Sequence, residues 1–93
     1  MNIEQINEGA DGCFKALENN IEAGHMKYTW SGSRKFIIVH TETNPDFAGQ
    51  GVGKKLVMEA VKVAREKNYR IILECPFAKS VFDKTPEIRD VLE

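Results

Sequence analysis

Along the first half of the chain apolar and polar positions alternate, and along the second half the apolar positions recur every three to four residues. Cys13, Lys15 and Leu17 alternate with Phe14, Ala16 and Glu18, the period of two that a half-buried strand requires. Ile21 to Trp30 continues the pattern, with Met26, Tyr28 and Trp30 on one face. Lys35 to Thr43 follows, with the dense apolar centre Phe36-Ile37-Ile38-Val39 of a well-buried strand. Ile3 to Glu8 reads as a short first strand. Turn-forming residues separate these segments: Gly9-Ala10-Asp11-Gly12, then Asn19-Asn20, then Ser31-Gly32-Ser33. Asn tolerates positive φ, so the Asn pair suits a two-residue hairpin. The pattern predicts four strands in an antiparallel meander.

Beyond Pro45 the period changes. Val52, Leu56, Ala60 and Ala64 fall four apart, and Val57, Val61 and Val63 widen the stripe. Lys54, Lys55, Glu59, Lys62, Arg65 and Glu66 take most of the remaining positions, so the spacing predicts one amphipathic helix from about Gln50 to Lys67. Asn68 ends it. Arg70 to Cys75, with its Ile71-Ile72-Leu73 run, reads as a strand buried on both faces. Pro76 and Pro86 suit the first positions of two short helices. An antiparallel meander that gains a fifth, parallel strand through a helical crossover is an α+β fold. No linker, repeat or low-complexity tract interrupts it, so residues 1–93 read as one domain.

Composition narrows the classes of function. Thirteen basic against fourteen acidic side chains leave a formal charge of −1, which offers no general attraction to nucleic acid or anionic membrane. No charged-then-apolar leader and no spanning apolar run are evident, so the cytoplasm is the expected address. Cys13 and Cys75 lie far apart without a CxxC pair. Free thiols are expected, and no metal site.

The segment Pro45-Asp46-Phe47-Ala48-Gly49-Gln50-Gly51-Val52-Gly53-Lys54-Lys55 joins the fourth strand to the long helix. Alternate glycines let the backbone adopt unusual dihedrals and let a ligand come close. The unpaired amides at a helix start carry partial positive charge, and together they suit a phosphate or pyrophosphate. A Walker loop is excluded, because Gly49 to Gly53 is one residue too short and Lys55 stands where Ser or Thr is needed. A Rossmann fingerprint is excluded by the GxGxG spacing and by the absence of a preceding βαβ array. Taken alone, the glycines are also explained by a tight turn and nothing more.

With His40-Thr41 ahead of this turn and Glu74-Cys75-Pro76-Phe77-Ala78-Lys79 after the next strand, the sequence resembles the GCN5-related N-acetyltransferases, and among them the smallest single-domain branch. The resemblance runs from about Ile3 to Glu93. It implies that the turn amides of Gly49, Gln50, Gly51, Val52 and Gly53 hold the pyrophosphate of acetyl-CoA, with Lys54, Lys55 and Lys79 near its phosphates. Ala48 departs from the Arg or Gln usual at its position. The resemblance also implies that the fifth strand splays from the fourth, that pantetheine lies in the gap along Val39 to Thr43 and so beside Val39 and Thr41, and that Cys75 and Phe77 sit close to the thioester. Many members protonate the leaving thiolate with a tyrosine near the place of Phe77, which has no hydroxyl. Larger members insert helices between their first two strands to shape the acceptor site. Here only a short turn stands there, so an open acceptor side is expected.

Two catalytic candidates follow. His40 and Glu42 lie two apart on a strand and so share a face, and His40 has the basicity to deprotonate an amine near neutral pH. Cys75 is a candidate to line the acetyl site, to protonate the leaving thiolate or to be acetylated itself, a small buried apolar residue being the alternative. Cys13 and His25 have no motif context, and Trp30, Tyr28 and Met26 read as core. The expected activity is acetyl transfer from acetyl-CoA to an unidentified primary amine, a protein or peptide among the candidates. The rival readings are a CoA-binding regulatory module without turnover and a small interaction domain. Open sheet edges make a monomer or a weak dimer the expected state.

Overall fold

The computed structural model describes residues 1–93. One sheet holds five strands in sequence order: β1 Asn2–Glu8, β2 Asp11–Glu18, β3 Ile21–Trp30, β4 Lys35–Thr43 and β5 Arg70–Leu73. The first four pair antiparallel, and β5 lies parallel to β4. Helix α1, Val52–Lys67, makes the crossover, and α2, Pro76–Lys84, and a 3-10 helix, Pro86–Val91, follow β5. The α+β architecture expected from the alternating and helical periods is the observed one.

Local chemistry explains the boundaries. Asn19 and Asn20 both have positive φ, 51° and 67°, the left-handed pair that a two-residue hairpin needs. Helix α1 starts at Val52, because Gly51 before it is left-handed, at φ 69°. Gln50 and Gly51 therefore belong to the turn, two residues later than the apolar period suggests. At the other end Asn68 is left-handed, at φ 60°, and its N–H donates to the Ala64 carbonyl, a cap that satisfies an end carbonyl. Arg65 and Lys67 in the last turn complement the helix dipole.

Both helices pack on one face of the sheet. Phe14, Met26, Tyr28, Phe36, Ile38 and Ile71 project from that face onto Leu56, Val57, Ala60, Val61 and Ala64 of α1 and Phe82 of α2 in a single cluster of 21 buried residues. The ring of Tyr28 lies 5.0 Å from Phe36 and 5.3 Å from Phe14, centroid to centroid. Its hydroxyl accepts from Gln5 and donates to Asn7, and burial pushes its phenol up from 10.0. No buried side-chain nitrogen or oxygen lacks a partner.

The opposite face carries no helix. For that reason β5 is not buried on both sides as its apolar run suggests: Ile71 is buried, whereas Ile72 and Leu73 are half-buried. The strand also ends at Leu73 rather than Cys75, which serves instead as the N-cap of α2. The edges differ as well. Leu92 bridges Ile71, the Glu93 amide donates to the Ile71 carbonyl at 3.0 Å, and Arg70 donates to the Asp90 carbonyl. Arg65 grips both oxygens of Asp90 at 2.7 and 3.1 Å. Of the two edges expected to be open, only β1 is bare.

Helix α1 approaches the sheet most closely at Gly24. A Cβ there would lie 2.7 Å from the Glu42 carbonyl oxygen and 2.9 Å from a methyl of Val52, so backbone would have to move. Gly24→Ala is expected to cost about 1–3 kcal/mol, measured by urea unfolding.

Candidate functional site

Strand β4 is irregular where it matters. Tyr28 pairs with Ile38 and Lys27 with His40, so Val39 is an extra residue between two pairs, a bulge. Residues up to Ile38 put even-numbered side chains on the helical face; past the bulge Thr41 takes that side. Val39 and His40 are both exposed.

At the same point β5 leaves. The β4–β5 ladder runs from Lys35–Arg70 to Ile38–Leu73. The Ile38 carbonyl then accepts from two amides, Glu74 and Cys75, each at 3.0 Å. Beyond it β4 continues alone to Thr43 while the other chain turns into α2, so the two diverge after four paired residues. Cys75, at 3% exposure, stands just inside the fork, with its Sγ 3.4 Å from Thr41 Oγ1.

Farther out, a cleft of about 390 Å³ lies between the glycine turn and α2. Its floor and walls include Thr43, Gly49, Gly51, Val52 and Gly53, with Phe47 and Phe77 as aromatic sides. The turn is held by a 3-10 segment, Pro45–Phe47, whose cap Asn44 accepts from the Asp46 amide and donates to the Glu22 carbonyl. Gly49 and Gly51 have φ of 83° and 69°, and nothing stands within 4 Å of where their Cβ atoms would be. Gly53 differs: a Cβ there would lie 2.5 Å from the Phe77 ring, so its lack of a side chain lets Phe77 lie against the turn. The start of α1 has neither a side-chain cap nor an acidic residue in its first turn, which leaves its positive end free for an anion.

The sequence-derived residues divide accordingly. Gly49, Gly51, Val52, Gly53, Lys54 and Phe77 share the cleft. Val39, Thr41 and Cys75 mark the fork. Gln50 is exposed, its amide bonded to the Phe47 carbonyl. Lys55 lies with Ile3 and Met58 beside a separate depression between β1 and α1. Lys79 is exposed and does not line the cleft, whereas Ser80, Val81 and Lys84 do. Those three fall three, four and seven residues after Phe77, a helical spacing through which Lys84 is readable. His40, 55% exposed, faces the opposite side of the sheet, with Nε2 3.5 Å from Glu42 Oε1. His25 joins it there, and sequence periodicity carries no sign of that, because the register between β3 and β4 brings them together. No group of three or more His, Cys, Asp or Glu side chains is arranged to hold a metal, and no helix is long and apolar enough to cross a membrane.

The fork, the bulge and the glycine-capped helix sit in a fold that known proteins share. The profile of the GCN5-related N-acetyl-transferase family matches residues 13–91. The chain belongs to this family. A GCN5-like protein from Staphylococcus aureus is 34% identical, with a TM-score of 0.70 over 99% of this chain and 89% of that one. The ribosomal-protein-alanine N-acetyltransferase of Brucella melitensis biovar Abortus 2308 shares the fold, with a TM-score of 0.71 at 17% identity over 84% of this chain. So does an aminoglycoside acetyltransferase from an uncultured soil metagenomic sample, at 0.63 and 19% identity over 94% of this chain. The chain spans 62% of the length of each of these last two. Among curated proteins no sequence matches.

Both thiols are free, Cys13 half-buried and Cys75 buried. In the native protein a thiol reagent is expected to modify Cys13 first and Cys75 at least about tenfold more slowly, because access rather than intrinsic reactivity limits the buried thiol. Mass spectrometry after timed labelling reads the order directly.

Proposed function

We propose that the chain binds acetyl-CoA along the fork between β4 and α2 and transfers its acetyl group to a primary amine approaching from the open face of the sheet. The parting of β4 from β5 after Ile38, with the glycine turn beyond it, carries the reading. Acetyl-CoA supplies an activated acyl thioester; the protein supplies binding, orientation and proton transfer.

The residues fit that ligand. The amides of Gly49, Gly51, Val52 and Gly53, with the uncapped first turn of α1, suit a pyrophosphate, whereas the Gln50 amide is already bonded to the Phe47 carbonyl. Lys54 and Lys84 at the cleft, with Lys55 beside the turn, add positive charge, and Lys84 takes the place expected of Lys79. Phe47 and Phe77 offer apolar walls. Beyond Ile38 the outer edge of β4, from Val39 to Thr43, has no strand partner, so its amides and carbonyls are free to bond an extended amide-bearing chain as a strand would. At the fork, Cys75 stands where the leaving thiolate forms and donates its proton there, with Thr41 holding the Sγ. His40, on the far side of the bulge, takes the proton of the amine. The acceptor side has no covering helix, which favours a large or extended acceptor such as a peptide.

A second reading, a CoA-binding module without turnover, is favoured by Phe77, whose ring offers no proton to a leaving thiolate. Calorimetric titration with acetyl-CoA and a transfer assay separate the two. Saturation at a hundredfold above the dissociation constant is expected to raise stability by about 2.7 kcal/mol. Cys75→Ala and His40→Gln are each expected to lower transfer by at least about tenfold while binding persists. Unchanged transfer in both variants removes the two catalytic roles. Absence of binding at millimolar acetyl-CoA reduces the glycine turn to architecture.

A further inference from the structure

On the open face Glu22, His25, Glu42 and His40 form one connected line. His25 Nδ1 lies 2.9 Å from Glu22 Oε2, and its Nε2 lies 3.7 Å from Glu42 Oε2. The other oxygen of Glu42 lies 3.5 Å from His40 Nε2. Strand register produces the line: His25 pairs directly with Glu42 across β3 and β4, and His40 stands two residues before Glu42 on the same face. One carboxylate therefore sits between two imidazoles whose centroids are 6.4 Å apart. From β2, Lys15 reaches Glu22 Oε1 at 3.7 Å, and Cys13 and Lys27 complete the wall of a depression of about 310 Å³. The His25 side chain is 19% exposed, against 55% for His40. The inner imidazole is hydrogen-bonded through Nδ1 and has Glu42 close to Nε2, and the outer one is accessible.

We infer that His25 is a positioning residue that divides Glu42 between the two imidazoles and so sets the pH at which His40 accepts a proton from the acceptor amine. This rests on the acetyl-transfer reading above. The proton balance is simple. An acceptor ammonium loses one N–H proton to the ring nitrogen of neutral His40 that faces away from Glu42. This leaves a neutral amine, whose lone pair attacks, and an imidazolium, whose charge Glu42 opposes until the proton passes to water over the open face. A carboxylate engaged by His25 through one oxygen has less attraction to offer His40 through the other. The neighbouring ammonium of Lys27 and the paired Lys15 act against the imidazolium form, and Glu22 acts for it at longer range.

The sign of the effect follows. Removing His25 leaves Glu42 wholly to His40, favours its charged form and moves its titration upward. Removing the Glu42 charge moves it downward. Histidine titrations by NMR on wild type, His25→Gln, Glu22→Gln and Glu42→Gln test this, together with acetyl-CoA calorimetry on each. Rates of CoA release against pH, with a mixture of small primary amines and lysine peptides, complete the set. His25→Gln is expected to carry the acidic limb of kcat/KM upward in pH, lowering the rate roughly threefold on that limb. Glu22→Gln, which loosens His25 without removing it, shifts the limb the same way by less; Glu42→Gln shifts it downward. Affinity for acetyl-CoA stays within about twofold throughout, since none of these side chains lines the cleft. A His40 titration that does not move in His25→Gln and Glu22→Gln overturns the inference, as does acetyl-CoA binding without CoA release from the wild type at any pH. Failure of the wild type to bind acetyl-CoA removes the acetyl-transfer reading itself.

Discussion

The carbonyl of Ile38 accepts two amides, and that shared acceptor closes the only parallel ladder in the sheet. From there β4 and the chain after β5 go separate ways. A strand edge is thereby left free within the sheet rather than at its rim. The bulge at Val39 falls at the same residue level. It reverses the facing of β4, so Thr41 meets Cys75 on the helical side while His40 reaches the open side. One irregularity thus places groups on both sides of a single backbone, the arrangement that two reactants meeting across a strand require.

The rest of the fold keeps this fork in place. Small residues at the helix–sheet contact, Gly24 opposite Val52 and Ala60 and Ala64 within α1, let α1 sit low on the sheet. Its first turn then reaches the level of the fork with its amides unblocked. Gly53 lets the Phe77 ring lie against that turn, which couples the start of α1 to the start of α2. Arg65, Arg70 and Asp90 bind the end of the chain back to α1 and β5, so the short fifth strand is held along both sides.

Much of this was legible from residue order. The change of period at Pro45, the Asn pair, the glycine turn and the prolines at helix starts have local causes, and each appears where local chemistry puts it. The bulge was not legible, because Phe36-Ile37-Ile38-Val39 is apolar throughout and gives no alternation for an inserted residue to break. The extent of β5 was misread for a similar reason: three consecutive apolar residues look doubly buried whether or not a second layer of helices exists. Lys84 was available from the helical spacing after Phe77. His25 was not, since Glu42, which links it to His40, reaches it only through the register between β3 and β4.

The order of the strands has a consequence for assembly. β1 to β4 are neighbours both in sequence and in the sheet, so they can form by short hairpin closures, whereas β5 reaches its place only after the whole of α1 has been threaded across. Every element of the fork other than β4 belongs to that later part. An intermediate holding only the meander would own four strands and no ligand site. A ligand held at the fork would therefore clasp the half of the molecule whose contacts span the longest stretch of sequence.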